Sequence, residues 1–187
     1  QDGHSQLLAT MVPNCRSYDP TFAYEVAVII QDGLRRMYAE DEPVFYYITV
    51  MNENYAMPAM PKGAEQGILK GLYPFGQFPA KTPESKKSKR GTSVPTATLL
   101  GSGTILREVI AAAETLASAY GVQCEVLSAP SWSELRREGL DCERWNMLHP
   151  GAAARTPYVA EFLATRKGPF VAASDYVRNV PEQIRQW

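Results

Sequence analysis

The sequence predicts an α/β fold built on a mainly parallel sheet, and three observations carry that prediction. Residues 97–135 run as an apolar stretch, a Gly-Ser-Gly turn, a long amphipathic segment, a glycine, a second apolar stretch and a new helix start. A strand leading through a helix into another strand is the βαβ unit of a parallel sheet. Residues 20–51 show the same alternation in the order helix, then strand. Within them, residues 44–51 (VFYYITVM) are apolar on both alternating faces, the pattern of an interior strand covered by helices on both sides.

Taken in order, residues 15–17 read as a short strand, and Asp19-Pro20 as a helix start, with Asp19 able to cap and Pro20 losing nothing at a position whose N–H is unused. Phe22, Val26, Ile29, Ile30, Leu34, Met37 and Tyr38 then recur at helical spacing and are expected to bury one side, leaving Glu25, Asp32, Arg35 and Arg36 on the polar side. One helix and one strand cannot close a domain, so further strands are expected before Gln1. Residues 52–71 carry Met57-Pro58 and Met60-Pro61, which block a regular helix, with room for a helical turn over 65–71. Residues 74–95 set Pro74, Pro79, Pro83 and Pro95 around Lys81, Lys86, Lys87, Lys89 and Arg90, and read as a partly disordered linker.

From Thr98 the order is β, α, β, α, α, β, α, which suits a small doubly wound domain with helices on both faces. Leu106, Val109, Ile110, Ala113, Leu116, Ala117 and Tyr120 form the predicted buried stripe of its first helix, and Gly121 is the expected left-handed cap. Residues 122–127 have a strand's composition, and Ser131 with Glu134 is a capping box opening the next helix. Thr156-Pro157 opens another helix with Tyr158, Val159, Phe162 and Leu163 inward, residues 169–174 form a last short strand, and the chain re-enters a helix near Pro181.

Composition narrows the function classes. A formal net charge of -1 gives no overall attraction to nucleic acid. No apolar stretch approaches the roughly 20 residues of a membrane span, and no signal-peptide pattern stands at the start. Cys15, Cys124 and Cys142 are odd in number and widely spaced, which favours reduced intracellular thiols over a disulfide framework. The chain opens at Gln1 without an initiator methionine and stops at Trp187 inside a predicted helix; together these lead to the expectation of a piece of a larger polypeptide.

Chemistry-bearing motifs are sparse. Gly101-Ser102-Gly103 sits between a strand and a helix, but Leu106 stands where a dinucleotide fingerprint needs its third glycine, and no Walker lysine follows. A tight turn is the plain reading, with a weak anion site at the helix start as the sharper one. His4 and His149 are the only histidines, and no ligand spacing points to zinc or a di-metal centre. His4, beside Asp2 and Gly3 in a polar loop, is the better chemical candidate, against the ordinary reading of a surface or packed histidine. His149, next to Pro150, reads as structural. No Gly-x-Ser-x-Gly elbow and no histidine-paired thiol mark a nucleophile. The basic run from Lys81 to Arg90 lacks aromatics for base stacking and reads as a solvated hinge, or next as a docking segment for an acidic partner. Trp132, Trp145 and the Phe45-Tyr46-Tyr47 cluster read as core or subunit-interface residues.

Several stretches are long and unusual enough to carry a family resemblance. They are DGHSQ from Asp2, VPNCRSYDPTFAYEVAVIIQDGLRRMY from Val12, YYITVMNENYAMPAMPKGAEQGILKGLY from Tyr46, LLGSGTILREV from Leu99 and DCERWNMLHP from Asp141. In these the chain resembles the homodimeric type of pyruvate dehydrogenase E1 component, a thiamine-diphosphate enzyme family of the transketolase superfamily. The resemblance implies that residues 1–55 end a pyrimidine-binding domain, 56–96 form a linker (longer and more basic than the family's usual one), and 97–187 are a truncated, three-layer α/β/α domain like the transketolase C-terminal domain. It implies decarboxylation of pyruvate with thiamine diphosphate and Mg2+, acetyl transfer to the lipoyl group of dihydrolipoyl acetyltransferase (E2), and a homodimer in the bacterial cytoplasm with neither nucleic acid nor membrane as partner. The family's Gly-Asp-Gly metal motif, its aminopyrimidine-activating glutamate and an active-site histidine are implied to precede Gln1. Only Asp2 and His4 are carried over, as near-site residues, with no cofactor or metal ligand; the chain alone is expected to be inactive and to expose apolar surface. Two other readings compete: a non-catalytic α/β interaction or regulatory module, and a nucleotide-dependent enzyme using the turn at Gly101 to Gly103.

Overall fold

The computed structural model describes residues 3–81 and 94–187, so Asp2 and the basic run at Lys86, Lys87, Lys89 and Arg90 lie outside the described residues. The described residues build two sheets. A short helix α1 (Ser5–Thr10) leads into strand β1 (Cys15–Tyr18), then helix α2 (Ala23–Leu34) with a π-helical turn at Arg35–Ala39, and strand β2 (Phe45–Ile48). The two strands pair in parallel, Cys15 opposite Phe45 and Tyr18 opposite Ile48. Helix α3 (Glu65–Lys70) and strand β3 (Tyr73–Phe78) follow, then β4 (Thr96–Gly101), α4 (Gly103–Ala119), β5 (Gln123–Ser128), α5 (Trp132–Leu148), α6 (Tyr158–Ala164), β6 (Phe170–Ala173) and a 3-10 turn at Pro181–Ile184. The second sheet has the order β3-β5-β4-β6, with β3 antiparallel to β5 and the other pairs parallel.

The second sheet is the centre of the three-layer α/β/α unit expected from the sequence. Its two faces follow from the two-residue alternation of a strand. Leu99, Cys124 and Val126 turn to one side and pack with Leu106, Val109 and Ala113 of α4. Leu100 and Leu127 turn to the other and pack with Trp132 and Leu135 of α5 and Val159 of α6. Local signals end these elements at the expected places. Gly121 has φ +66° after α4, and the Ser131 hydroxyl accepts from the Glu134 amide (3.1 Å) while donating to the Ser17 carbonyl (2.6 Å). Ser131→Ala is accordingly expected to cost about 1–2 kcal/mol, measurable as a lower urea midpoint with an unchanged slope. Tyr120 departs from the predicted stripe: it lies at the end of α4 and is exposed.

Three further expectations are corrected. Residues 73–78, expected in the linker, form an edge strand of the main sheet. Pro74 and Gly76 are tolerated there because an edge strand need not donate on its outer side, and a bulge falls between them. The preceding helix α3 sends Ile68 into the junction between the sheets, and Leu72 follows into the α5 side of the core. Secondly, Asp19-Pro20 does not start α2, which begins at Ala23; the Asp19 carboxylate is drawn away to other partners, and Glu25 accepts from the Thr21 and Phe22 amides instead.

Thirdly, the buried face of α2 is turned part of the way round from the expected one, keeping Phe22 and Ile29 inside as expected. Glu25, Ile29, Asp32 and Gly33 are buried, whereas Ile30, Leu34 and Tyr38 are 46%, 52% and 80% exposed. The buried polar groups have partners: Tyr46 donates to Asp32 (3.0 Å), and Gly33 leaves room for the Tyr46 ring. Among the described residues strand β2 pairs with β1, and Phe45 is exposed.

Candidate functional site

The C-terminal ends of β4 and β5 are where an open α/β sheet ordinarily offers a ligand crevice. Here the chain fills that crevice with residues 19–25, which lead from β1 into α2. The Gly103 amide donates to the Asp19 carbonyl (2.9 Å), and the Ser102 hydroxyl donates to an Asp19 carboxylate oxygen (2.7 Å). Gly103 has φ +50°, and a Cβ on it would stand 2.5 Å from that carboxylate. The anion site suspected at the Gly-Ser-Gly turn is therefore occupied by the chain's own Asp19. A nucleotide reading of the turn has no room.

A few residues on, Glu25 is fully buried and accepts from four donors: the Thr21 and Phe22 amides, the Tyr73 hydroxyl (2.7 Å) and the Ser128 hydroxyl (2.7 Å). Tyr24 and Tyr73 share a further hydroxyl bond of 2.7 Å. Burial pushes both carboxyls above their ordinary range despite these bonds, with Asp175 adding to the effect at Asp19. The NENY stretch closes the junction from the other side. Glu53 pairs with Arg107 of α4 (2.7 Å), the Arg107 guanidinium lies over the Tyr55 ring (4.3 Å), and Tyr55 donates to the Thr21 carbonyl.

Asp19, Thr49, Thr104 and Asp175 line what remains open, a cleft of about 110 Å³. The loop holding His4 reaches this side of the molecule: the Gly3 carbonyl accepts from the Val177 amide (3.0 Å), two residues past Asp175. His4 is exposed and begins α1, its carbonyl accepting from the Leu7 and Leu8 amides. His149 ends α5, stacked on Trp145 with ring centroids 4.5 Å apart and Nδ1 at 2.8 Å from the Trp145 carbonyl, which is a structural setting. Trp132 lies in the core, as expected. Burial raises the three thiols, Cys142 to about 11 with help from Glu138, so none is an activated nucleophile. Among the described residues no group of three or more His, Cys, Asp or Glu could hold a metal ion, and no helix is long and apolar enough to cross a membrane.

Sequence reasoning missed Asp19, Glu25, Tyr73 and Ser128. Asp19 has the look of a helix cap and Glu25 that of part of a solvated face. The one available signal is Glu25 in line with Ile29 and Asp32-Gly33, at i, i+4, i+7 and i+8, a stripe whose burial no hydrophobicity pattern reveals.

Comparison with known proteins decides the family. Residues 1–58 match the pyruvate dehydrogenase E1 component middle domain, and residues 85–186 match the transketolase-like C-terminal domain. The chain belongs to the pyruvate dehydrogenase E1 family. It is 54% identical over its whole length to the E1 component of Pseudomonas aeruginosa and 52% identical to that of Escherichia coli K12, covering 20% of each. The E1 component of Mycolicibacterium smegmatis is 46% identical, again along the whole chain. The chain thus spans about a fifth (20%) of the length of these relatives. In E1 terms, the Asp19 and Glu25 contacts join the middle-domain match to the C-terminal match. Helix α3 and strand β3 lie between the two matches, and Ile68, Leu72 and Tyr73 are buried in the join.

Proposed function

We propose that this chain is part of an E1 subunit that decarboxylates pyruvate oxidatively with thiamine diphosphate and Mg2+ and passes the acetyl group to the lipoyl group of E2. The subunit works as a homodimer in the bacterial cytoplasm. The observation that carries this reading is the end-to-end match to E1 components at about half identity, with the middle and C-terminal domains in that order. Residues 1–55 close the pyrimidine-binding domain, and 97–187 belong to the C-terminal domain, whose sheet also takes in the strand at Tyr73–Phe78 from the segment between them.

The described residues do not fit the cofactor. The one helix start placed like a phosphate site is taken by Asp19, and no cluster of metal-ligand side chains is available among them. The ligands of diphosphate and Mg2+ are therefore assigned to parts of the E1 subunit outside this stretch. Asp2 and His4 are assigned to the rim of the substrate site, where a histidine can orient or exchange a proton with substrate.

CO2 release from pyruvate tests both assignments. Residues 1–187 alone are expected to show none, with or without thiamine diphosphate and Mg2+. In an E1 subunit carrying this sequence, His4→Ala is expected to lower kcat by about 10²-fold, the scale of a lost positioning contact. Decarboxylation by the isolated 187 residues would remove the first assignment, and wild-type turnover in His4→Ala the second.

A further inference from the structure

We infer that Asp19 is a positioning residue for the loop that carries His4, acting through Thr49 and Gln6 from a seat on the C-terminal sheet. The inference deepens the proposed function, because the importance of that loop rests on its place beside substrate.

Five side chains form the connection. Gln6, buried in α1, has its Nε2 3.2 Å from the Thr49 hydroxyl and 3.3 Å from the Tyr18 carbonyl. The Thr49 hydroxyl lies 2.7 Å from one Asp19 carboxylate oxygen, and the Ser102 hydroxyl 2.7 Å from the other. The Trp132 indole nitrogen lies 3.2 Å from the same Ser102 oxygen. The line runs from α1, past the ends of β2 and β1, to the starts of α4 and α5.

Donor and acceptor chemistry gives this line a direction. A hydroxyl has one proton and two lone pairs, and a carboxylate only accepts. Thr49 and Ser102 therefore both turn their protons to Asp19, the strong charge-assisted choice at 2.7 Å. Their lone pairs are left facing outward, where N–H donors meet them: the Gln6 amide on one side and the Trp132 indole on the other. The carboxylate thus sets the orientation of both hydroxyls, and through Thr49 it holds Gln6. Gln6 lies two residues from His4 on the first turn of α1, a helix of six residues with no side-chain cap of its own. Such a helix is held by its tertiary anchors rather than by its own propensity. Gly3 on the other flank is tied to Val177 through its carbonyl. The loop is thus held from both ends by groups that lead back to the C-terminal unit.

Amide hydrogen exchange on this chain tests the inference, with α1 and β4–β5 followed separately. Thr49→Val keeps the side-chain shape and removes the shared oxygen; it is expected to raise exchange in α1 by about tenfold or more while β4 and β5 stay protected. Asp19→Ala is expected to do the same, and Thr49→Ser, which restores the oxygen, to return α1 to wild-type protection. Unchanged α1 exchange in Thr49→Val would overturn the inference, as would a Thr49→Ser variant as exposed as Thr49→Val. Should Asp19→Ala fail to fold, the Thr49 pair still decides. Exchange needs no substrate, so its outcome is independent of the kinetic test of His4: protection lost in Thr49→Val with wild-type turnover in His4→Ala would sustain the coupling and sink only the near-substrate reading.

Discussion

Glu25→Ala is expected to lower folding stability by about 4 kcal/mol or more, since each buried donor left without a partner costs about 1–3 kcal/mol. Two amides and two hydroxyls lose their acceptor at once, and they come from α2's start, β3 and β5. With domain stabilities of about 5–15 kcal/mol, the variant should approach unfolding at room temperature. Glu25→Gln keeps an oxygen for the two amides and turns its NH2 toward hydroxyls that can rotate to accept, so about 1–2 kcal/mol is expected.

The pair of variants also reads the protonation of Glu25. Burial holds its folded pKa above the ordinary 4.5, so the native state binds the proton more tightly than the unfolded chain. The stability this confers is fully present below about 4.5 and is lost as pH rises through the folded value. Wild type should therefore lose stability relative to Glu25→Gln as pH climbs above 4.5. Urea midpoints of the two proteins that run parallel from about pH 4.5 to about pH 7.5 would refute this. Asp19 shifts in the same direction, but it is common to both proteins and cancels in the comparison.

Gly71→Ala is expected to be as severe, about 4 kcal/mol, combining a positive-φ cost of about 1–2 kcal/mol with displacement of packed backbone. Gly71 ends α3 with φ +95°, and a Cβ there would lie 2.2 Å from the Ser131 carbonyl oxygen, which is backbone and cannot turn aside. Accommodating a methyl means parting α3 from the start of α5, where Ser131 also anchors β1 through Ser17. Gly121→Ala is the control. Gly121 has φ +66° but nothing within 4 Å of its Cβ direction, so only the conformational cost of about 1–2 kcal/mol applies. Equal thermal midpoints for the two variants would show that the contact with Ser131 carries no weight.

These residues also show where pattern reading stops. From residue 96 onward each element declares itself locally. The strands β4 and β5 are apolar runs of strand length, α4 carries a stripe at helical spacing, Gly121 supplies a left-handed stop, and Ser131 caps α5 through the Glu134 amide. These signals act within a few residues of one another, so they are visible in one dimension. The family resemblance is legible for the same reason, since DGHSQ, NENY and DCERWNMLHP are contiguous. Earlier in the chain local cues conflict with what finally packs. Asp19 has every property of a helix cap, yet Ser102 and Thr49, far away in sequence, take its carboxylate.

The sequence by itself determined the α/β alternation, the two-faced core of the second sheet and membership of the E1 family. Only the tertiary structure decided that β3 joins that sheet at an edge that tolerates proline. It also decided that α2 buries Glu25 and Asp32 alongside Ile29, and that Asp19 and Glu25 plug the crevice at the strand ends. The physical reason for the last two is the same: burial of a polar group is decided by whether partners arrive to satisfy it. Those partners (Tyr46, Tyr73, Ser102, Ser128) come from elements that no periodicity places beside the residues they hold.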